Sequence, residues 1–204
     1  MPLHVVAINC TLKRSPAPSS TEKLLREMLA ALAEHEAQGE LIRAVDFDIK
    51  PGVKSDEGKG DDWPGLRARV LAADILLLGS PVWLGQPSSV SKRVLERMDA
   101  FLGEKDNRGR MPSYGKVAVA VVTGNEDGAH HVSAEFHQAL TEVGFTIPAG
   151  GATYWVGEAM QTRDYKDLGS SPDVVVQWTR MLASNTAHLA RLLQRENYPG
   201  RKPN

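Results

Sequence analysis

The sequence predicts a doubly wound α/β domain, a parallel sheet with helices on both faces. Three observations carry that expectation: short continuous apolar runs, stripes of helical period in the gaps between them, and a regular alternation of the two along 204 residues. That length suits one well-buried domain. It is expected over residues 1–197, with a flexible tail at 198–204.

The clearest runs are residues 5–8, 75–78 and 117–122. They are continuous rather than alternating, as in strands covered on both faces. Their β-branched content and the turn residues after them favour strand over buried helix. Residues 41–47 and 145–153 are weaker strand candidates. After the first run, Leu24, Leu25, Met28, Leu29 and Leu32 form a helical stripe. Leu66, Val70 and Leu71 precede the third strand, and Val90, Val94, Met98 and Phe101 follow it. Val132, Phe136, Leu140 and Val143 follow the fourth. Trp178, Met181, Leu182, Leu189, Leu192 and Leu193 mark the last helix. Each stripe is read as core-facing. Right-handed crossovers are compatible with five strands in the order 2-1-3-4-5, which puts the ligand crevice outside the carboxyl ends of strands 1 and 3. Flexible stretches are expected at 51–63, 103–114, 157–172 and from Tyr198.

Composition excludes several classes. The net charge is −1, so neither a basic nucleic-acid surface nor an acidic tail is expected. The lone Cys10 leaves no internal disulfide, no cysteine-ligated iron–sulfur cluster and no Cys-rich zinc site within one chain. No apolar run approaches the roughly 18 residues that span a bilayer, and Met1-Pro2-Leu3-His4 leads into a strand without a charged leader. A cytoplasmic protein without membrane partners is expected.

Three loops face the predicted crevice. Residues 9–22 are rich in hydroxyls, carry Lys13 and Arg14, and run into a helix. Free N–H groups at a helix start favour a phosphate, with Thr11, Ser19, Ser20 and Thr21 as further donors. Ser19 and Glu22 also make a plain capping box. Neither a Walker loop nor a Gly-x-Gly-x-x-Gly turn is present, which counts against a nucleotide-triphosphate enzyme and a conventional NAD dehydrogenase. The second loop, residues 79–89, ends a buried strand in Val82, Trp83 and Leu84 between Pro81 and Pro87. Apolar groups there suit a planar aromatic ligand, Gly85 permits close approach, and core or subunit packing is the competing explanation. In the third loop, Gly124 and Gly128 flank Asn125, Glu126 and Asp127; they allow close approach to a ligand, and they equally make a turn into the next helix.

These residues resemble the NAD(P)H-dependent FMN reductase and flavodoxin-like oxidoreductase family. Cys10-Thr11-Leu12-Lys13 to Ser20-Thr21-Glu22-Lys23-Leu24 is similar to the family's phosphate loop. Ser80-Pro81-Val82-Trp83-Leu84-Gly85 resembles its flavin loop, with Lys92 in the helix that follows, and Thr123-Gly124 matches the start of its third loop. The resemblance implies a flavodoxin-like doubly wound fold holding FMN. Thr11, Lys13, Ser20 and Thr21 would bind the phosphate. Pro81, Val82, Trp83, Leu84 and Gly85 would border the isoalloxazine, and Thr123, Gly124 and Asn125 would close the other side. Cys10 and Leu12 depart from the usual Gly and Pro, and Asn125-Glu126-Asp127 stands where glycines are common. Two acids close to a flavin would lower its reduction potential.

The implied activity is hydride transfer from NADH or NADPH to FMN, then electron transfer to a quinone, free flavin or other small acceptor, in a homodimer or homotetramer. No side chain is assigned as acid or base; N–H groups near 83–85 and Asn125 are the expected donors to the ring. Competing expectations are a flavodoxin-type electron carrier and a flavin-free assembly or regulatory domain. Cys10 reads as a buried inert thiol. His130, His131, Glu135 and His137 read as solvated or capping groups rather than metal ligands. Tyr154 and Trp155, at the last strand's end, read as packing residues with flavin contact as the alternative.

Overall fold

The structure, a computed structural model, describes residues 2–157 and 161–201. Five parallel strands form the sheet: β1 (Leu3–Asn9), β2 (Ala37–Arg43), β3 (Ile75–Trp83), β5 (Val117–Thr123) and β6 (Ala152–Trp155). A two-residue strand, β4 (Gln86–Pro87), pairs antiparallel with the end of β3. The sheet order is β2-β1-β3-β5-β6. For the five parallel strands this is the expected 2-1-3-4-5, with β4 as an addition.

Side-chain alternation along the sheet divides the core into two layers. Val6, Ile8, Leu76, Leu78, Ala118, Ala120 and Val122 pack against α2 (Trp63–Ala72), α3 (Ser89–Met98) and α4 (Ala129–Glu142). Val5, Ala7, Ile75, Leu77, Val117, Val119 and Val121 pack against α1 (Ser20–Ala33) and α5 (Asp173–Arg195). All seven residues of β5 are buried, which is why its apolar run was continuous.

Several boundaries differ from expectation. The second strand begins at Ala37, not 41, because β2 is an edge strand whose Gln38, Gly39 and Glu40 are exposed and polar. Residues 44–46 form a 3-10 turn instead. The fifth parallel strand is confined to Ala152–Trp155; Thr146 makes only an isolated bridge to Val117 before Pro148 and two glycines. Phe101 lies in a 3-10 turn beyond α3. On α5, Trp178 and Met181 are 40% and 51% exposed and Leu192 is also exposed; small residues, Ala183, Thr186, Ala187 and Ala190, face the core.

The stretch 51–63 is tied to the core. Arg97 and Asp61 form an ion pair at 2.7 Å with both side chains fully buried, and Arg97 also donates to the carbonyls of Lys50 and Lys54. Near the C-terminus, Tyr198 packs edge-on against Tyr114, and the Arg201 N–H donates to the Arg108 carbonyl. Residues 158–160 and 202–204, within the stretches expected to be flexible, lie outside the described residues.

Candidate functional site

The carboxyl ends of β1, β3 and β5 open onto one crevice, as the winding requires. It encloses about 150 Å3 and is bordered by Thr11, Leu12, Lys13, Ser19, Ser20, Thr21, Pro81, Val82, Trp83, Thr123, Gly124 and Asn125. Trp155, Asp164 and Tyr165 complete its wall. Eleven of the fourteen expected site residues therefore meet at one place. Leu84, Gly85 and Gly128 do not border it.

Their position has a physical cause. The second loop is a tight hairpin rather than an open apolar loop: Trp83 pairs with Gln86 across a two-residue turn, and both turn residues, Leu84 and Gly85, have positive φ (52° and 73°). That is the backbone of a type I′ turn. It projects Leu84, 91% exposed, away from the sheet and leaves Trp83 half-exposed at the crevice rim. The Leu84 N–H, expected as a donor to the ring, donates to the Glu126 carboxylate at 2.9 Å. Gly128 packs behind the hairpin, where a Cβ would meet Gly85 Cα at 2.8 Å.

Polar contacts join the loops. Asn9 turns the first loop at its start: its Oδ1 accepts from the Thr11 N–H at 3.1 Å. Ser88 Oγ donates to the Cys10 carbonyl at 2.6 Å, inside a buried cluster with Ser80 and Ser91. Thr21 and Thr123 share a hydrogen bond of 2.8 Å between hydroxyls. Asn125 Nδ2 donates to Asp164 at 3.1 Å, and the Lys166 N–H donates to Ser20 Oγ at 3.2 Å. Gly79 lets α1 lie close to β3, since a Cβ there would fall 2.7 Å from Leu25 Cδ1 and 2.8 Å from Thr21 Cγ2.

At the helix start, Ser19 caps α1 by accepting from the Glu22 N–H at 3.2 Å, and the Lys23 N–H returns to the Ser19 carbonyl. The capping box is thus present in half. The N–H groups of Ser20 and Thr21 have no acceptor among the described residues. Free donors at a helix start beside a crevice are the kind of group that suits an anion. Burial pushes the Cys10 thiol up, so at neutral pH it stays protonated and inert.

Residues the sequence did not single out complete the frame. Arg43 grips the back of the first loop, and Asp46 binds Ser15 through its N–H at 2.9 Å and its hydroxyl. The Ser15 hydroxyl and N–H hold the Asp46 carboxyl below the usual aspartate range. Tyr165 donates to Glu27 and stacks obliquely on Trp155, so burial first, and Glu27 second, push its phenol up and keep it neutral. The histidines are engaged locally: His130 with Tyr154 at 2.9 Å, His131 with Glu135 at 2.8 Å, and His137 with the Gly151 carbonyl at 3.1 Å. Among the described residues no group of three potential ligands is placed to hold a metal. A larger groove, about 1110 Å3, lies beyond Trp155 between α4, β6 and α5.

Sheet order defines a flavodoxin-like fold, and the crevice opens at its β1/β3 switch point. The chain belongs to the NADPH-dependent FMN reductase family, whose members use FMN with NAD(P)H as electron donor; residues 3–161 match it. It is 31% identical over 208 residues to the 8-demethyl-8-aminoriboflavin-5'-phosphate synthase of Streptomyces davaonensis, covering 97% of this chain and 81% of that one. A solved structure of RosB with the bound intermediate 8-demethyl-8-formylriboflavin-5'-phosphate superposes with a TM-score of 0.87 at 30% identity, over 96% of this chain and 82% of that one. An apo NADH:FMN oxidoreductase (EmoB) shares the fold, with a TM-score of 0.63 at 18% identity over 97% and 91% of the two chains. The chain is also 39% identical to part of the divalent metal cation transporter MntH of Mycobacterium bovis, covering 94% of this chain but only 29% of that protein. No helix among the described residues is long and apolar enough to cross a membrane.

Proposed function

We propose that this protein is an FMN-dependent NAD(P)H oxidoreductase that passes electrons to a quinone, free flavin or other small acceptor. The observation that carries the reading is the pair of free N–H groups at Ser20 and Thr21, set beside the Thr11 and Ser20 hydroxyls in the β1/β3 crevice. Those donors match a phosphate dianion in number and kind. The enclosed 150 Å3 suits one end of a mononucleotide, since sites that engulf whole ligands run to roughly 300 Å3 or more. The phosphate takes that enclosed end, and the ring rests on the half-exposed apolar rim of Trp83 and Leu12.

When bound, FMN supplies a ring nitrogen that takes up hydride. This chain's residues position and surround it. Helix α1 presents donors to the phosphate, Thr21 and Thr123 brace the floor, and the hairpin holds Trp83 in place. Asn125 and Lys13 border the same hollow, as amide and cation, and complete the polar side. The exposed apolar residues Val174, Trp178 and Met181 on α5, together with Leu84, support a homodimer or homotetramer.

Purified protein is expected to be yellow, and anaerobic NADH or NADPH to bleach it within the mixing experiment. With a quinone present, steady NAD(P)H oxidation without a second protein is expected. Bleaching only after a protein reductase is added would instead make the chain a flavodoxin-type carrier. Colourless protein that takes up no FMN would make it a flavin-free domain. A second reading comes from the Streptomyces relative and the RosB complex: the flavin phosphate is itself the substrate. In that case the flavin recovered after turnover has a changed mass.

A further inference from the structure

Arg43, the last residue of β2, stands behind the first loop. Its side chain is 6% exposed. Nη1 donates to the carbonyls of Lys13 at 3.1 Å and Ala17 at 2.8 Å, and Nη2 is hydrogen-bonded to the Glu22 carboxylate. Nε is buried without a partner. Arg43 borders two outer hollows, one with Pro16 to Ser19 and Glu22, the other with Ser15 and Asp46, and does not border the crevice.

We propose that Arg43 is the positioning residue that turns the first loop into a phosphate site, and so sets the preference for a phosphorylated flavin over the bare one. The proposal rests on the reading that this loop takes the flavin phosphate.

Two physical effects support it. Carbonyl oxygens repel a dianion, and one guanidinium fork draws those of Lys13 and Ala17 to the far side of the loop. Across a trans peptide the next N–H points the opposite way, so the Arg14 N–H is turned away from Arg43. The second effect is charge cancellation. Glu22 sits in the first turn of α1, where an uncompensated carboxylate would oppose a bound phosphate. Burial disfavours its charged form, but hydrogen bonds from Arg43 and Arg26 outweigh that and lower its pKa, so it is ionised at neutral pH. Arg26 is largely exposed and reaches the other oxygen; Arg43 is the buried counter-charge. A lysine would carry the charge, but a single ammonium lacks the planar fork that serves two carbonyls and a carboxylate together.

The test compares dissociation constants for FMN and riboflavin in wild type, R43K and R43M, with circular dichroism to confirm folding. The expected result is a fall of at least about 10-fold in the preference for FMN over riboflavin in both variants, with riboflavin affinity unchanged. Equal weakening of both ligands, or a wild-type preference in either folded variant, would overturn the proposal. Should R43M fail to fold, R43K keeps the charge and stem and carries the test alone. A T11E/S20E variant separates the two levels. If it keeps the wild-type preference, the phosphate-loop reading itself fails; if it loses the preference while R43K and R43M retain it, only the role of Arg43 fails.

Discussion

Replacing Thr11 and Ser20 together by glutamate is expected to abolish FMN retention while the domain stays folded. The two residues border the crevice on either side of the loop, and the α1 N–H donors lie next to Ser20. Removing the hydroxyls alone, as in T11V/S20A, costs about 1 kcal/mol each, or roughly fivefold apiece. Placing carboxylates there is far more severe. A flavin phosphate carries about −1.5 to −2 charges at neutral pH, and a like charge about 4 Å away at an interfacial dielectric costs about 4 kcal/mol. Two such charges lower FMN affinity by at least about a thousandfold. Riboflavin, which lacks the dianion, escapes this repulsion, so titration of both flavins checks the cause. The thermal midpoint should move little, because the new side chains project into a solvent-connected hollow.

The second large effect is on stability. Arg97→Met leaves the Asp61 carboxylate buried without its ion-pair partner and frees the carbonyls of Lys50 and Lys54. Breaking a buried pair from one side costs about 3–5 kcal/mol, a large part of the 5–15 kcal/mol typical of a domain. In a chain of this length that lowers the melting temperature by about 10 °C, measurable by calorimetry. R97M/D61N should be less destabilised than R97M, because no buried charge is then orphaned. The pH dependence follows from Asp61. Burial opposes its charge, but Arg97 and the N–H groups of Glu57, Trp63 and Lys50 outweigh that and hold the carboxyl well below the usual range. Its contribution is therefore fully present above the ordinary aspartate value of about 3.9 and is lost as pH falls below it. The stability gap between wild type and D61N should close in that acid window.

How much of this was legible in the sequence depended on burial. Strand β5 is buried at every position and so announced itself as an apolar run. Strand β2 is half-exposed at the sheet edge, and its polar Gln38 to Glu40 shifted the expected start by four residues. The β4 hairpin is too short for any periodicity, and its turn places a leucine where Asn or Asp would have signalled the positive φ. On α5 the stripe was half legible: Leu182, Leu189 and Leu193 pack on the core beside Ala183, Ala187 and Ala190, while Trp178, Met181 and Leu192 stay at the surface. At the crevice, the three loops were readable because sheet winding selects them in advance. Arg43 was not, because its partners at Lys13, Ala17 and Glu22 lie 21 to 30 residues away and no local pattern links them. Asp164 and Tyr165 reach the crevice from beyond the last strand, and only the fold shows that they do, whereas Trp155, at that strand's end, already carried flavin contact as its alternative reading.

A crystal structure of the protein grown with FMN tests the central claim most directly. Phosphate density within hydrogen-bond reach of the Ser20 and Thr21 N–H groups and the Thr11 hydroxyl, with the ring against Trp83, is the predicted result. Density for the flavin in the groove beside Trp178, with the β1/β3 crevice closed by its own side chains, would contradict it.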